Sequence, residues 1–352
     1  MLIERIEGKW IDAFVDVFSL CRVVPGDSVA ILSETQSRPV LVQLSELALH
    51  RLGARAFHVV MPTPPQRHQI PLRSTGTSLA IDGLQPVVAA LSASTMVVDC
   101  TVEGMLHAPE LKTILQAGAR LMMISNEHPE LLERTRPTAQ LRERVLKGLA
   151  VLEAAREMHV TSDAGTNLRV DLEGAPVRAA PGYVDQPGKV GYWPAGLVLC
   201  FPGDGKVSGT VVLAPGDINL TFKRYVETPV ALTIEKDMVT RIEGSGVDAE
   251  LLRSYYSAWN DSNAYAVSHV GWGMNPGARW DALTMYDRSQ VNGTEQRAFE
   301  GNFLFSTGAN ETAGRFTDCH FDYPMRNCSI DLDGQRIIDR GRIVDPRMAL
   351  QK

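Results

Sequence analysis

Pro25-Gly26-Asp27-Ser28-Val29-Ala30-Ile31-Leu32 is the stretch on which the fold turns. Its Pro-Gly-Asp turn ends a helical period running from Glu4 to Arg22, in which Ile6, Ile11, Phe14, Val15 and Phe18 are apolar. Four consecutive apolar residues follow, as in a strand covered on both faces. The alternation then repeats. Val40 to Leu52 reads as a helix capped by Gly53, and Ala56 to Val60 as a strand. Leu84 to Leu91 is helical, Thr95 to Asp99 a strand, Pro109 to Gln116 a helix and Arg120 to Ile124 a strand. This order predicts an α/β domain with a mostly parallel sheet covered by helices. Leu141 to Met158 is a long helical pattern expected to close that domain, residues 1–158.

The texture changes near His159. Short strand-like runs with Gly and Pro punctuation follow: Leu168–Leu172, Gly196–Cys200, Gly209–Leu213, Ile218–Phe222, Val230–Ile234 and Met238–Ile242, with a helix over Asp248–Asn260. Residues 159–352 are therefore expected to form a second, β-rich α+β domain. Gly174 to Pro194 is long and Gly/Pro-rich for a plain connection, which suggests an active-site loop.

The 352 residues are 44% hydrophobic and 22% charged, the composition of a soluble globular protein with a real core. A formal charge of -6 argues against a dedicated nucleic-acid binder. The start, MLIERIEGKW, has no basic segment leading into an apolar run, and no apolar stretch reaches the ~18 residues of a membrane span. Cys21, Cys100, Cys200, Cys319 and Cys328 are scattered and odd in number, so a disulfide framework and a zinc ribbon are both disfavoured. The expectation is a reduced, cytoplasmic protein with neither nucleic acid nor membrane as partner. No GxGxxG follows the first strand, so the sheet gives no reason to invoke a dinucleotide. Arg169, Arg178 and Lys189 form a loose basic group that reads as a solvated face.

The chemistry is densest in Thr317-Asp318-Cys319-His320-Phe321-Asp322-Tyr323-Pro324. On a strand, residues two apart share a face. His320 and Asp322 then present an imidazole and a carboxylate side by side, with Cys319, Phe321 and Tyr323 turned away. One further histidine completes a facial 2-His-1-carboxylate metal site, which leaves positions open for substrate and dioxygen. The candidate is His269 in Ser268-His269-Val270-Gly271-Trp272-Gly273, where Trp272 could wall a pocket. Asp318 shares the predicted face, as rival ligand or as a carboxylate orienting His320. Most His-x-Asp pairs are ordinary hydrogen-bonded strand residues, and that bland reading stands beside the metal site. His107 follows the third strand, at the sheet edge where ligands bind in open α/β folds, though from the residues alone a solvated helix-start histidine is the better reading. Asn302–Gly308 reads as an apolar strand ending in hydroxyls and a glycine, where Ser306 could bond a ligand or simply close a turn. Without a GxSxG elbow, a Ser306-His320-Asp322 hydrolase ranks low. His50, His58, His68, His128 and His159 have no partner in sequence and read as structural or exposed.

Taken together, Ser268–Gly273, Gly301–Gly308 and Cys319–Cys328 resemble the signature segments of the 2,5-dihydroxypyridine 5,6-dioxygenase family, and the likeness extends to Leu106-His107-Ala108-Pro109 and Gly216-Asp217-Ile218. The resemblance implies a fold similar to that of thermophilic metallo-aminopeptidases, with an α/β domain and a β-rich metal-bearing domain. It implies Fe(II) on His269, His320 and Asp322, His107 as acid-base residue and Ser306 as a substrate contact. It implies cleavage of a hydroxypyridine ring with O2 to give N-formylmaleamate, in nicotinate degradation. Some members carry a Glu and a His where Ala180 and Tyr192 stand here, which bears on the substrate rather than on the iron site. A metallo-aminopeptidase is the rival on the same fold, but no second acidic metal motif accompanies His320 and Asp322. A non-catalytic ligand-binding protein is the rival from another class. A homo-oligomer is the expected assembly.

Overall fold

Strands with no polar residue to turn outward need cover on both faces, and this chain supplies it. The computed structural model describes residues 5–65 and 78–350; His68 lies outside them. Ser28–Glu34, Arg55–Met61, Met96–Asp99 and Arg120–Ile124 lie in one parallel sheet, with Ser28–Glu34 between the second and third of these. Val29 and Ile31 pack into one apolar layer, built with helices Gly8–Leu20 and Pro39–Arg51. Ala30 and Leu32 pack into the opposite layer, with Gln85–Ser92 and Leu111–Gln116. Each predicted strand and helix from Val29 to Ile124 is present, with ends shifted by at most two residues; the helix expected from Glu4, a residue outside the described ones, spans Gly8–Leu20.

Two expectations change. The Gly174–Pro194 segment is not a loop throughout. Val177–Ala180 joins an antiparallel sheet, and Val190–Trp193 pairs in parallel with Arg120–Ile124 as a fifth strand of the first sheet. The long helix spans Ala139–Glu153 and does not close the first unit. Its buried Leu141, Val145, Val151 and Leu152 belong to the core of the second. Met158 lies instead in a strand, Glu157–Thr161.

That second core is sandwiched between an eight-stranded antiparallel sheet and a five-stranded one. The smaller sheet runs in the order Arg315–Met325, Phe303–Asn310, Val267–Gly273, Leu197–Cys200, Val177–Ala180, antiparallel throughout. Phe303, Phe305, Phe321, Tyr323, Val270, Trp272 and Val198 fill the core side. The other side faces the first unit. All five cysteines are buried and none is in a disulfide. No helix among the described residues is long and apolar enough to cross a membrane.

Candidate metal centre and its cavity

Strand alternation puts the chemistry on the face of the five-stranded sheet that looks away from the core. Leu304, Ser306 and Gly308 pair with Pro324, Asp322 and His320 across the antiparallel register. Gly308 has φ +112°, and a Cβ there would lie 2.0 Å from the carbonyl oxygen of Cys319, so only glycine fits opposite His320. A register shift in Val267–Gly273 falls between Val267 and Val270 and includes His269.

His269, His320 and Asp322 converge. Each offers one ligand atom, and these atoms lie within 4.8 Å of one another. The Nε2 atoms of the two histidines are 3.4 Å apart, with Asp322 Oδ1 3.5 Å from His269 Nε2 and Asp322 Oδ2 3.2 Å from His320 Nε2. All three residues are buried. Burial lowers the His269 pKa to about 3 against the pull of Asp322, so its imidazole is neutral, as a metal ligand must be. Burial would raise the Asp322 pKa, but His320 and Arg297 outweigh it and hold the carboxyl well below the usual range. Arg297 Nε donates to Oδ2 at 2.5 Å, while Oδ1 is buried without a hydrogen-bond partner. One carboxylate oxygen is thus fixed by Arg297 and the other is left toward His269.

Two imidazole nitrogens and a carboxylate oxygen, with no thiolate, suit Fe(II) with open positions. Among the described residues this is the one group of three or more His, Cys, Asp or Glu that converges in this way. Asp318 is exposed and outside it. Trp272, three residues along from His269, faces the core and does not line this cavity. Phe201 takes that place, meeting His269 edge-on at 5.5 Å between ring centroids.

The ligands open into a cavity of about 170 Å³ between the two units. Leu197, Leu199 and Leu304 line it from the five-stranded sheet, and Leu106, Met123, Val190 and Tyr192 from the first unit. Ser306 is fully buried beside Asp322, its hydroxyl without a partner, and does not line the cavity. The third side is Asn292, Thr294 and Arg297. Buried Glu127 holds that side in place by accepting the backbone N–H groups of Asn292, Gly293 and Thr294 at 2.8, 2.9 and 2.8 Å. Neither Arg297 nor Glu127 carries a sequence signal that marks it out.

His107 reaches the cavity on the loop after Met96–Asp99, at the point where the connections from adjacent strands diverge. Its ring centroid is 5.1 Å from that of His320. Surrounding protein, then His320, lower its pKa while Asp322 pulls the other way; the residue is exposed on the cavity side, so solvent tempers that enclosure. Buried Asp99 folds the loop. It accepts from Thr101 N at 2.9 Å, Thr101 Oγ1 at 2.6 Å and Met105 N at 2.7 Å. Burial raises its pKa to about 6 against those donors, so it is charged at neutral pH. Asp99→Asn turns an acceptor into a donor against N–H groups. It is expected to cost about 2 kcal/mol in urea unfolding and to slow turnover while bound metal is unchanged, as metal analysis will show.

The remaining described histidines are structural or exposed. His50 and His58 lie near Glu46, His128 stacks on Tyr286, and His159 bonds Asn167. Arg169, Arg178 and Lys189 do not form one face: Arg169 pairs with Glu157, whereas Arg178 lines the cavity.

Residues 9–345 match the family described as 2,5-dihydroxypyridine 5,6-dioxygenase. The chain belongs to that family. A 2,5-dihydroxypyridine 5,6-dioxygenase of Pseudomonas putida KT2440 is 39% identical over 339 residues, 95% of each chain. The solved structure of 2,5-dihydroxypyridine dioxygenase from Pseudomonas putida KT2440 superposes with a TM-score of 0.91 at 37% identity, covering 96% of this chain and 98% of that one. Wild-type AmpT from Thermus thermophilus gives a TM-score of 0.66 at 15% identity, over 96% of this chain and 99% of that one. That more distant likeness speaks for the fold alone. The dioxygenase family thus shares this α/β unit and β-rich unit.

Proposed function

We propose that this chain is a mononuclear Fe(II) dioxygenase that opens the ring of 2,5-dihydroxypyridine, or a close hydroxypyridine, with O2. The product is N-formylmaleamate, a step in nicotinate degradation. The observation that carries this reading is the convergence of His269, His320 and Asp322 at a cavity that His107 also faces. Ferrous iron held by those three residues would favour the ionised ring oxygen and activate dioxygen.

The protein's own part is holding, orienting and moving a proton. Arg297 fixes the Asp322 carboxylate, which sets the ligand geometry. Leu106, Met123, Val190, Leu197, Leu199 and Leu304 form apolar walls that hold a planar ring and exclude water. His107, neutral at working pH, accepts the proton of the ring hydroxyl through a ring nitrogen. Ser306 sits opposite Asp322 in the strand register with its buried hydroxyl unpartnered, and remains the candidate polar contact for a ring substituent.

The test is anaerobic loading with Fe(II), followed by oxygen uptake with a panel of hydroxypyridines. One O2 consumed per ring opened is expected, both atoms being retained in the product. Stoichiometric iron with no oxygen uptake on any member of the panel would overturn the assignment.

A further inference from the structure

Arg178 stands on the cavity face of Val177–Ala180, opposite Leu199, which in turn pairs with Gly271. Its guanidinium lies 5.1 Å from the centroid of Phe201, the ring that meets His269. No carboxylate among the described residues pairs with it. An unpaired arginine on an outer surface is ordinary. Arg178 is itself exposed, but it lines the same cavity as the three ligand residues. Its charge reaches inward: it helps to lower the His107 pKa and opposes the burial that raises that of Tyr192. The cavity's other lining arginine, Arg297, is engaged with Asp322.

Neighbouring strands lie about 4.8 Å apart, so Arg178 starts two strands, or about 10 Å, from the strand that carries His269. Between them lies Leu199, which pairs with Arg178 on one side and Gly271 on the other and whose side chain reaches over Gly271 to form an apolar floor. A planar ring resting there, with one oxygen toward His269, His320 and Asp322, turns its opposite edge toward Arg178. Ala180, two residues along on the same face, leaves room for a substituent at that edge.

We propose that Arg178 is a substrate-specificity residue that pairs with an anionic oxygen on the ring edge opposite the metal-directed hydroxyl. The cavity then selects hydroxypyridines bearing an ionised hydroxyl or a carboxylate at that position. A guanidinium fork matches either group, carboxylate in bidentate fashion. The inference rests on the reading of this cavity as a hydroxypyridine site.

The experiment is calorimetric binding to the Fe(II)-loaded protein without oxygen, using three probes. 2,5-Dihydroxypyridine and 5-hydroxypyridine-2-carboxylate carry the distal oxygen; 3-hydroxypyridine lacks it. Arg178→Gln is expected to raise Kd about 10- to 100-fold for whichever oxygen-bearing probe the wild type prefers, the cost of a charged hydrogen bond. It should leave 3-hydroxypyridine within about threefold, and Arg178→Lys should recover part of the loss. The two oxygen-bearing probes separate hydroxyl from carboxylate. Equal weakening of all three probes, or of none, overturns the role of Arg178. A wild type that binds none of the three overturns the hydroxypyridine reading itself, and this inference with it.

Discussion

His320→Ala is expected to abolish iron retention while leaving the fold intact. The alternation of Arg315–Met325 is the reason. Cys319, Phe321 and Tyr323 turn into the second core and carry the packing of the strand. His320 is on the opposite face, its ring near His269 and His107 at 5.1 Å from each. Its removal takes one of the three proposed ligands and no core contact. Wild type should hold one iron per chain after loading and dialysis, the variant close to none, with thermal midpoints within a few degrees. Asp322→Asn should eliminate turnover as well. Asp322→Ala is a poorer probe, because stripping the partner from a part-buried Arg297 costs about 3–5 kcal/mol on its own. Asp318→Ala should leave iron bound, since Asp318 is exposed and outside the converging group. Full iron content in His320→Ala, or loss of iron in Asp318→Ala, would put the centre elsewhere. Two tightly held metals per chain, both needed for activity, would favour a peptidase-like site.

The sequence makes some of this plain and conceals the rest for physical reasons. Val29–Leu32 and Met96–Val98 are legible because a strand covered on both faces has no polar residue to interrupt it. His320 and Asp322 are legible because a strand repeats every two residues. The same parity places Trp272 opposite His269, in the core rather than at the cavity. Val190–Trp193 is hidden because it is only four residues long, hemmed by Gly188 and Pro194, and its parallel partner lies some seventy positions earlier. The Ala139–Glu153 helix follows the first unit in sequence, yet Val145 and Leu152 meet the second core. Adjacency in sequence misleads there, because amphipathic period says which face is buried and not against what. Arg178 and Arg297 are single arginines in segments whose strand partners no local pattern reveals. Their place on the cavity follows only from pairing, of Val177–Ala180 with Leu197–Cys200 and of Arg297 with Asp322.

His107→Ala is expected to keep iron and substrate affinity near their normal values while turnover falls by about 10²–10⁴-fold, the usual contribution of general acid-base catalysis. His107 neighbours His320, yet it is outside the group whose ligand atoms converge. It therefore faces the substrate side of the centre from the first unit, carried by a loop that Asp99 folds. Glu34 adds to that anchorage by accepting from Val102 N at 3.3 Å and Ser78 Oγ at 2.9 Å. A loop held at so many points sets the imidazole before substrate arrives, which is the condition for efficient proton transfer. The surrounding protein and His320 lower its pKa, so the base form predominates across the neutral range and requires no activation. On the sign of that shift, protonation of His107 disables the wild type only on the acid side of the usual histidine value. The acid limb of kcat should change in His107→Ala if this imidazole sets it. Single-turnover rates, iron content and anaerobic substrate affinity measured on the same preparation separate the outcomes. Unchanged turnover would return His107 to the status of a cavity-side bystander. Loss of iron would make it a ligand and overturn the assignment of His269, His320 and Asp322 as the complete set.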